Sequence, residues 1–144
     1  METNDTVELL KECDSGTKMA VSSIDEVLYN VQDQKLKDIL IKFKDQHSKF
    51  GNELHSLLSS YNEEDKEPNA MAKGMSWMKT NVMMAMNESD ATIADLITDG
   101  CNMGVKSLSK YLNQYAAADE KSKQICKELI VSEEKLAKDL TQYL

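Results

Sequence analysis

Four side chains with coordinating or acid–base chemistry stand where a helical protein ordinarily places leucine. They are Asp14, His47, Cys101 and Glu133, and each interrupts an apolar series whose steps alternate three and four residues. The first series is Val7, Leu10, Asp14, Thr17, Val21, Ile24, Leu28 and Val31, and the second Leu36, Leu40, Phe43, His47, Phe50, Leu54, Leu57 and Tyr61. The third is Ala94, Ile97, Cys101, Gly104, Leu108, Tyr111 and Tyr115, and the fourth Cys126, Leu129, Glu133, Leu136, Leu140 and Tyr143. Such steps keep side chains on one face of an α-helix. A carboxylate or imidazole on that face must find a partner or a metal ion, or shift its ionisation.

The spacing says where these groups meet. Folding the first helix onto the second about residues 32 and 33 brings His47 level with Thr17 and Lys18. Folding the fourth onto the third about residue 117 brings Cys101 level with Glu133. If the two hairpins pack level, Asp14 or Thr17, His47, Cys101 and Glu133 form a central polar layer. Two chemistries suit it. One is a hydrogen-bonded layer that fixes helix register, as single buried polar residues do in coiled coils. The other is a site for one iron or zinc ion, since imidazole, thiolate and carboxylates bind both and the set does not choose between them. A chelator separates the two, because only a metal-binding layer melts at lower temperature in its presence.

Other chemistry is less well supported. A ferritin-like di-iron centre asks for a Glu from each of two helices and a Glu-x-x-His from each of the other two. The chain has two histidines, His47 and His55, and three residues before them stand Lys44 and Asn52. The complete recipe is absent. His55 falls at the margin of its helix and is expected to be exposed. Methionine thioethers bind Cu(I), but Met71, Met75, Met78 and Met86 at helical spacing suit adaptable packing. Cys13 has acidic and basic neighbours in balance, with nothing to lower its pKa. No phosphate-binding glycine loop, nucleophile elbow or Ser-His-Asp order is present.

These groups need long helices to hold them, and the composition supplies the means. The chain has 144 residues, one proline and five glycines, with 41% hydrophobic and 29% charged residues, which suits one amphipathic helical domain. Helices are expected over about 5–31, 34–61, 68–86, 89–115 and 119–143. Asp5 with Glu8, Asp33, Asn87 or Ser89, and Asp119 are placed to cap them. The tight gaps at 31–36 and 115–119 make antiparallel hairpins of their neighbours. Pro68 opens the 68–86 helix, around Trp77, after a polar turn at 62–67. That helix makes the second-to-third connection a long crossover, so helices two and three can run parallel. Surplus apolar side chains there, Met75, Met83, Met84 and Met86, predict a homodimer.

The net charge of −8 argues against nucleic acid and anionic membrane as partners, because lysine and arginine supply the phosphate-binding term. No apolar run approaches the roughly 20 residues of a membrane span. The start METNDTVELLKE lacks the basic and apolar regions of a signal peptide, which makes a cytoplasmic location the expectation. Three cysteines, Cys13, Cys101 and Cys126, with no CxxC indicate neither a disulfide framework nor a zinc knuckle.

Several local strings carry a resemblance. CDSG at 13–16, NEL at 52–54, GMSWMK at 74–79 and TDGCNMGVKSLSKYL at 98–112 resemble an uncharacterised family of bacterial ferritin-like four-helix-bundle proteins. Gly74, Trp77, Met78 and Lys79 are the most specific of these. The resemblance implies the ferritin-like fold and self-association, with no defined activity. It also implies an acidic residue after the glycine of helices one and three. Here Thr17 follows Gly16 and Cys101 follows Gly100, so two expected carboxylates are missing. The expectation is therefore an all-α, ferritin-like four-helix bundle with a helical crossover. Its expected role is binding or structural, without catalysis; the alternative is a single-metal protein in storage, sensing or redox protection.

Overall fold

The structure, a computed structural model, describes residues 2–63 and 89–144. It contains four long helices: α1 (Glu2–Leu28), α2 (Gln34–Ser60), α3 (Asp90–Gln114) and α4 (Glu120–Leu140), with a 3₁₀ turn at Thr141–Tyr143. No strand occurs among the described residues. The fold is an all-α four-helix bundle. The expected helix at 68–86, with Trp77 and the methionines around it, lies outside the described residues.

Capping follows the sequence at two of the helix starts. The Asp33 carboxylate accepts from the Leu36 N–H at 3.0 Å, and that of Asp119 from the Ser122 N–H at 2.8 Å. Each satisfies one of the backbone donors a helix start leaves orphaned. Ser89 takes the cap position of α3 with no side-chain bond. Asp5 does not cap: α1 already begins at Glu2, and the Asp5 carboxylate accepts instead from the Ala117 N–H at 3.0 Å.

That bond is one of several that set the helix directions. Next to it, the Thr6 hydroxyl accepts from the Asp119 N–H at 2.8 Å, so the start of α1 is tied to the α3–α4 turn. At the opposite end the Asp90 carboxylate accepts from the N–H groups of Gln32 and Asp33, both at 2.8 Å. The α1–α2 turn is thereby fixed to the start of α3. It follows that α1 and α3 are antiparallel while α2 and α3 run parallel, the arrangement that a long second-to-third crossover allows.

Buried side chains form two apolar clusters, one toward each end. Ile24, Val27, Leu36, Leu40, Ile93 and Leu140 belong to the first. Leu9, Leu10, Leu54, Leu58, Ile125 and Leu129 belong to the second. Fully burying each large aliphatic side chain stabilises the fold by about 1.5–3 kcal/mol. No described helix is long and apolar enough to cross a membrane.

A candidate binding cleft at the waist of the bundle

Between the apolar ends, α1 and α3 meet across small side chains. Gly16, Ala20 and Ser23 on α1 and Gly100, Gly104 and Ser107 on α3 all line a cleft of about 90 Å³. Residues this short cannot close the gap between two helices, and a Cβ added at Gly16 meets nothing within 4 Å. Ile24, Phe43, Ile97, Leu108, Leu129 and Leu136 give the cleft its apolar walls. Among them stand His47, Cys101 and Glu133.

His47 is 1% exposed, carried inward by the same α2 stripe that buries Phe43 and Leu54. Its Nε2 lies 3.5 Å from Glu133 Oε1, long for a hydrogen bond but well within the reach of charge and dipole. Phe43 packs against the imidazole with ring centroids 4.0 Å apart, and Phe50 meets it edge-on at 6.0 Å. The two rings hold the imidazole plane in place. Its Nδ1 is buried without a hydrogen-bond partner.

Glu133, 8% exposed, enters from α4. Its carboxylate also accepts from Cys101, and burial together with that carboxylate drives the Cys101 thiol far above its ordinary pKa. A thiol held protonated in this way is a hydrogen-bond donor, not a nucleophile. Gly104 makes room for the arrangement: a Cβ there would stand 3.3 Å from Glu133 Cδ and Oε1. This is a glycine kept by close approach rather than by backbone conformation.

The other polar members of the expected layer spend their polar atoms on their own helix. The Thr17 hydroxyl donates to the Cys13 carbonyl at 2.8 Å, one turn back on its own helix. Asp14 is buried, but its carboxylate pairs with Lys18 Nζ at 3.1 Å and does not line the cleft. The structure thus brings His47, Cys101 and Glu133 together and leaves Asp14 apart. Among the described residues, no group of three or more His, Cys, Asp and Glu is arranged to hold a metal ion. A two-iron centre does not fit either. Lys44, where that recipe wants a glutamate, is ion-paired with Asp25, and Asn52 is exposed.

Two features escaped the sequence reading. Glu12 is buried and lines the cleft beside Tyr111, whose pKa rises through burial and through its bond to Glu12. The Cys13 thiol donates to that of Cys126, which together with burial raises Cys13 well above its ordinary pKa; the same bond lowers that of Cys126. Both thiols are free and buried. The signal for the cleft was present in the sequence. Gly16, Ala20 and Ser23, and Gly100, Gly104 and Ser107, repeat small residues at steps of three and four on two helices.

Chemically, the waist offers an apolar slot with a few fixed polar atoms, the usual composition of a ligand pocket. Comparison with known proteins gives no match among curated proteins and none among solved structures. The match to a family covers residues 5–114, which takes in α1, α2 and α3 with His47 and Cys101, while Glu133 on α4 lies beyond it. Since that span is well over half of the chain, the protein belongs to the family described as Domain of unknown function (DUF2383).

Proposed function

We propose that this chain is a non-catalytic, cytoplasmic, ferritin-like bundle protein that acts by binding, with the α1–α3 cleft as its site. The observation that carries the reading is the buried His47, whose Nδ1 has no partner, in a slot with apolar walls. A purely structural layer would be expected to satisfy its polar atoms internally. The ferritin-like assignment is supported by two antiparallel hairpins with α2 and α3 parallel, the wiring that a long crossover produces. The absence of a catalytic role is supported by the high pKa of the Cys101 thiol, which withholds the nucleophile the layer would otherwise offer.

Methyl NMR with toluene as the probe tests this reading. Toluene should shift the methyl signals of Ile24, Ile97 and Leu108, and Gly16→Leu, which projects into the cleft, should abolish the effect. Unmoved cleft methyls at saturating toluene would refute it.

A single iron or zinc ion on His47, Cys101 and Glu133 is the second reading, favoured by the approach of His47 and of Cys101 to the same Glu133 carboxylate, although the three as they stand are not arranged to hold a metal ion. The pairing of Asp14 with Lys18 weighs against it. Elemental analysis of freshly purified, untagged protein decides the matter. About one equivalent of metal, lost in His47→Ala and in Cys101→Ala, would install the metal reading in place of the first. A homodimer is part of the proposal, supported by the apolar Met75, Met83, Met84 and Met86 in the sequence. Sedimentation showing a monomer across the accessible concentration range would remove it.

A further inference from the structure

We propose that Cys13 and Cys126 form a reversible disulfide site, at which a peroxide as small as hydrogen peroxide joins α1 to α4 and a dithiol releases them. The proposal is independent of what the cleft binds and uses the cleft only as the oxidant's way in.

Three helices place the two sulfurs together. Cys13 on α1 and Cys126 on α4 are both without exposure and belong to one apolar cluster. The Cys13 thiol donates to the Cys126 sulfur, and the Cys126 thiol donates in turn to the Leu108 carbonyl of α3 at 3.6 Å. This chain of donors holds the sulfurs in contact and gives them different roles. Accepting from Cys13 makes Cys126 the readier thiolate, and the thiolate is the form that attacks an oxidant. Cys13, kept protonated by its bond to Cys126 and by burial, supplies the second sulfur. Cys101 lies in the other cluster and donates to Glu133 instead.

Burial decides which oxidant can act. A bulky disulfide has no route to sulfurs without exposure. The cleft of about 90 Å³ is lined by Cys13 and Leu108, the two residues that hold Cys126. A molecule the size of water needs only ~10–15 Å³ of such space, and local opening of the native chain completes the path. Hydrogen peroxide is little larger than water, and being uncharged it is not repelled by Glu12 and Glu133 in the cleft walls. The Cys126 thiolate attacks one peroxide oxygen and the O–O bond breaks. The leaving hydroxide takes up the proton that Cys126 gave, departs as water and leaves Cys126 as a sulfenic acid. The Cys13 sulfur then displaces the sulfenic hydroxyl, which leaves with the Cys13 proton as a second water while the S–S bond forms. Each sulfur loses one electron and each peroxide oxygen gains one, so two thiols and one hydrogen peroxide give one disulfide and two waters.

The test uses the full chain, reduced and desalted, then treated with hydrogen peroxide, quenched with catalase, alkylated and mapped by mass spectrometry. The free thiols should fall from three to one, Cys101, with Cys13 linked to Cys126, and dithiothreitol should return all three. The oxidised chain should melt at a higher temperature, because a link between positions so far apart in sequence restricts the unfolded chain. In Cys13→Ala, Cys126 should stop at the sulfenic acid and be trapped by dimedone. Three thiols persisting at a peroxide concentration that links the urea-unfolded chain would overturn the proposal. So would a link that includes Cys101 or joins two chains. A lower melting temperature for the oxidised chain would also overturn it, by showing that the native packing does not take the bond. The map is read on the native chain, so the outcome does not depend on the variant folding. None of these outcomes bears on toluene binding by the reduced chain, so the cleft reading stands or falls separately.

Discussion

At the end of the bundle that carries the α1–α2 turn, Ile24, Val27, Leu36, Leu40 and Ile93 pack with almost no exposure, and at the other end Leu9, Leu10, Leu54 and Ile125 do the same. Midway between them the same four helices turn Thr17, His47, Cys101 and Glu133 inward and leave a cleft. The ends place large apolar groups against one another, which is where stability comes from. The waist gives up contact area at Gly16 and Gly104 and strands a ring nitrogen. A fold under selection for stability alone would fill that layer with leucine. The contrast assigns folding to the ends and recognition to the waist.

The comparison can be broken at either region. The largest effect is expected at the ends. Leu54→Ala removes a side chain with no exposure and should cost about 2–5 kcal/mol in denaturant unfolding. A cost below about 1 kcal/mol would mean that this end is not the source of stability.

A second effect concerns pH. Burial and Glu133 raise the Cys101 pKa in the folded chain, whereas an unfolded thiol titrates near about 8.5. For a raised folded value the stabilisation is complete below the unfolded pKa and is lost as pH climbs above it. Above roughly pH 9 the native protein should therefore lose stability faster than Cys101→Ala, by about 1.4 kcal/mol per pH unit. Parallel slopes would place Cys101 outside the buried layer.

A smaller effect distinguishes the two cleft glycines. Gly16→Ala should stabilise by about 0.5–1 kcal/mol, because alanine suits a helix interior better and its Cβ meets nothing. Gly104→Ala should lose that gain, since its Cβ would press on the Glu133 carboxylate. Equal melting shifts in the two variants would show that the carboxylate is not held where the cleft requires it.

Much of this was legible in the residues. The three-and-four spacing through Leu36, Leu40, Phe43 and His47, and through Cys126, Leu129, Glu133 and Leu136, marks side chains that are all buried. The pairing of levels also held, because two tight turns leave little freedom of register: His47 and Thr17 share the cleft, and Cys101 bonds to Glu133. What a single stripe could not show was the breadth of α1. Besides Leu10 and Ile24 it buries Leu9, Cys13 and Val27, since it touches all three other helices. Asp14 shows a second limit. Its position on the stripe was read correctly as buried, but spacing is silent about a lysine one turn away that takes the carboxylate. The cleft was harder still, for it is made by what small side chains fail to fill.

The central claim is that the waist recognises rather than stabilises, and the double variant His47→Leu/Glu133→Leu tests it most directly by chemical unfolding. With both partners replaced, no polar group of the pair is left stranded, and leucines of similar volume fill the layer. The account predicts stability equal to the native protein or higher by about 1–4 kcal/mol, as for other buried polar pairs replaced by apolar residues. A loss of several kcal/mol would contradict it and make the His47–Glu133 layer a structural keystone or a coordinated centre.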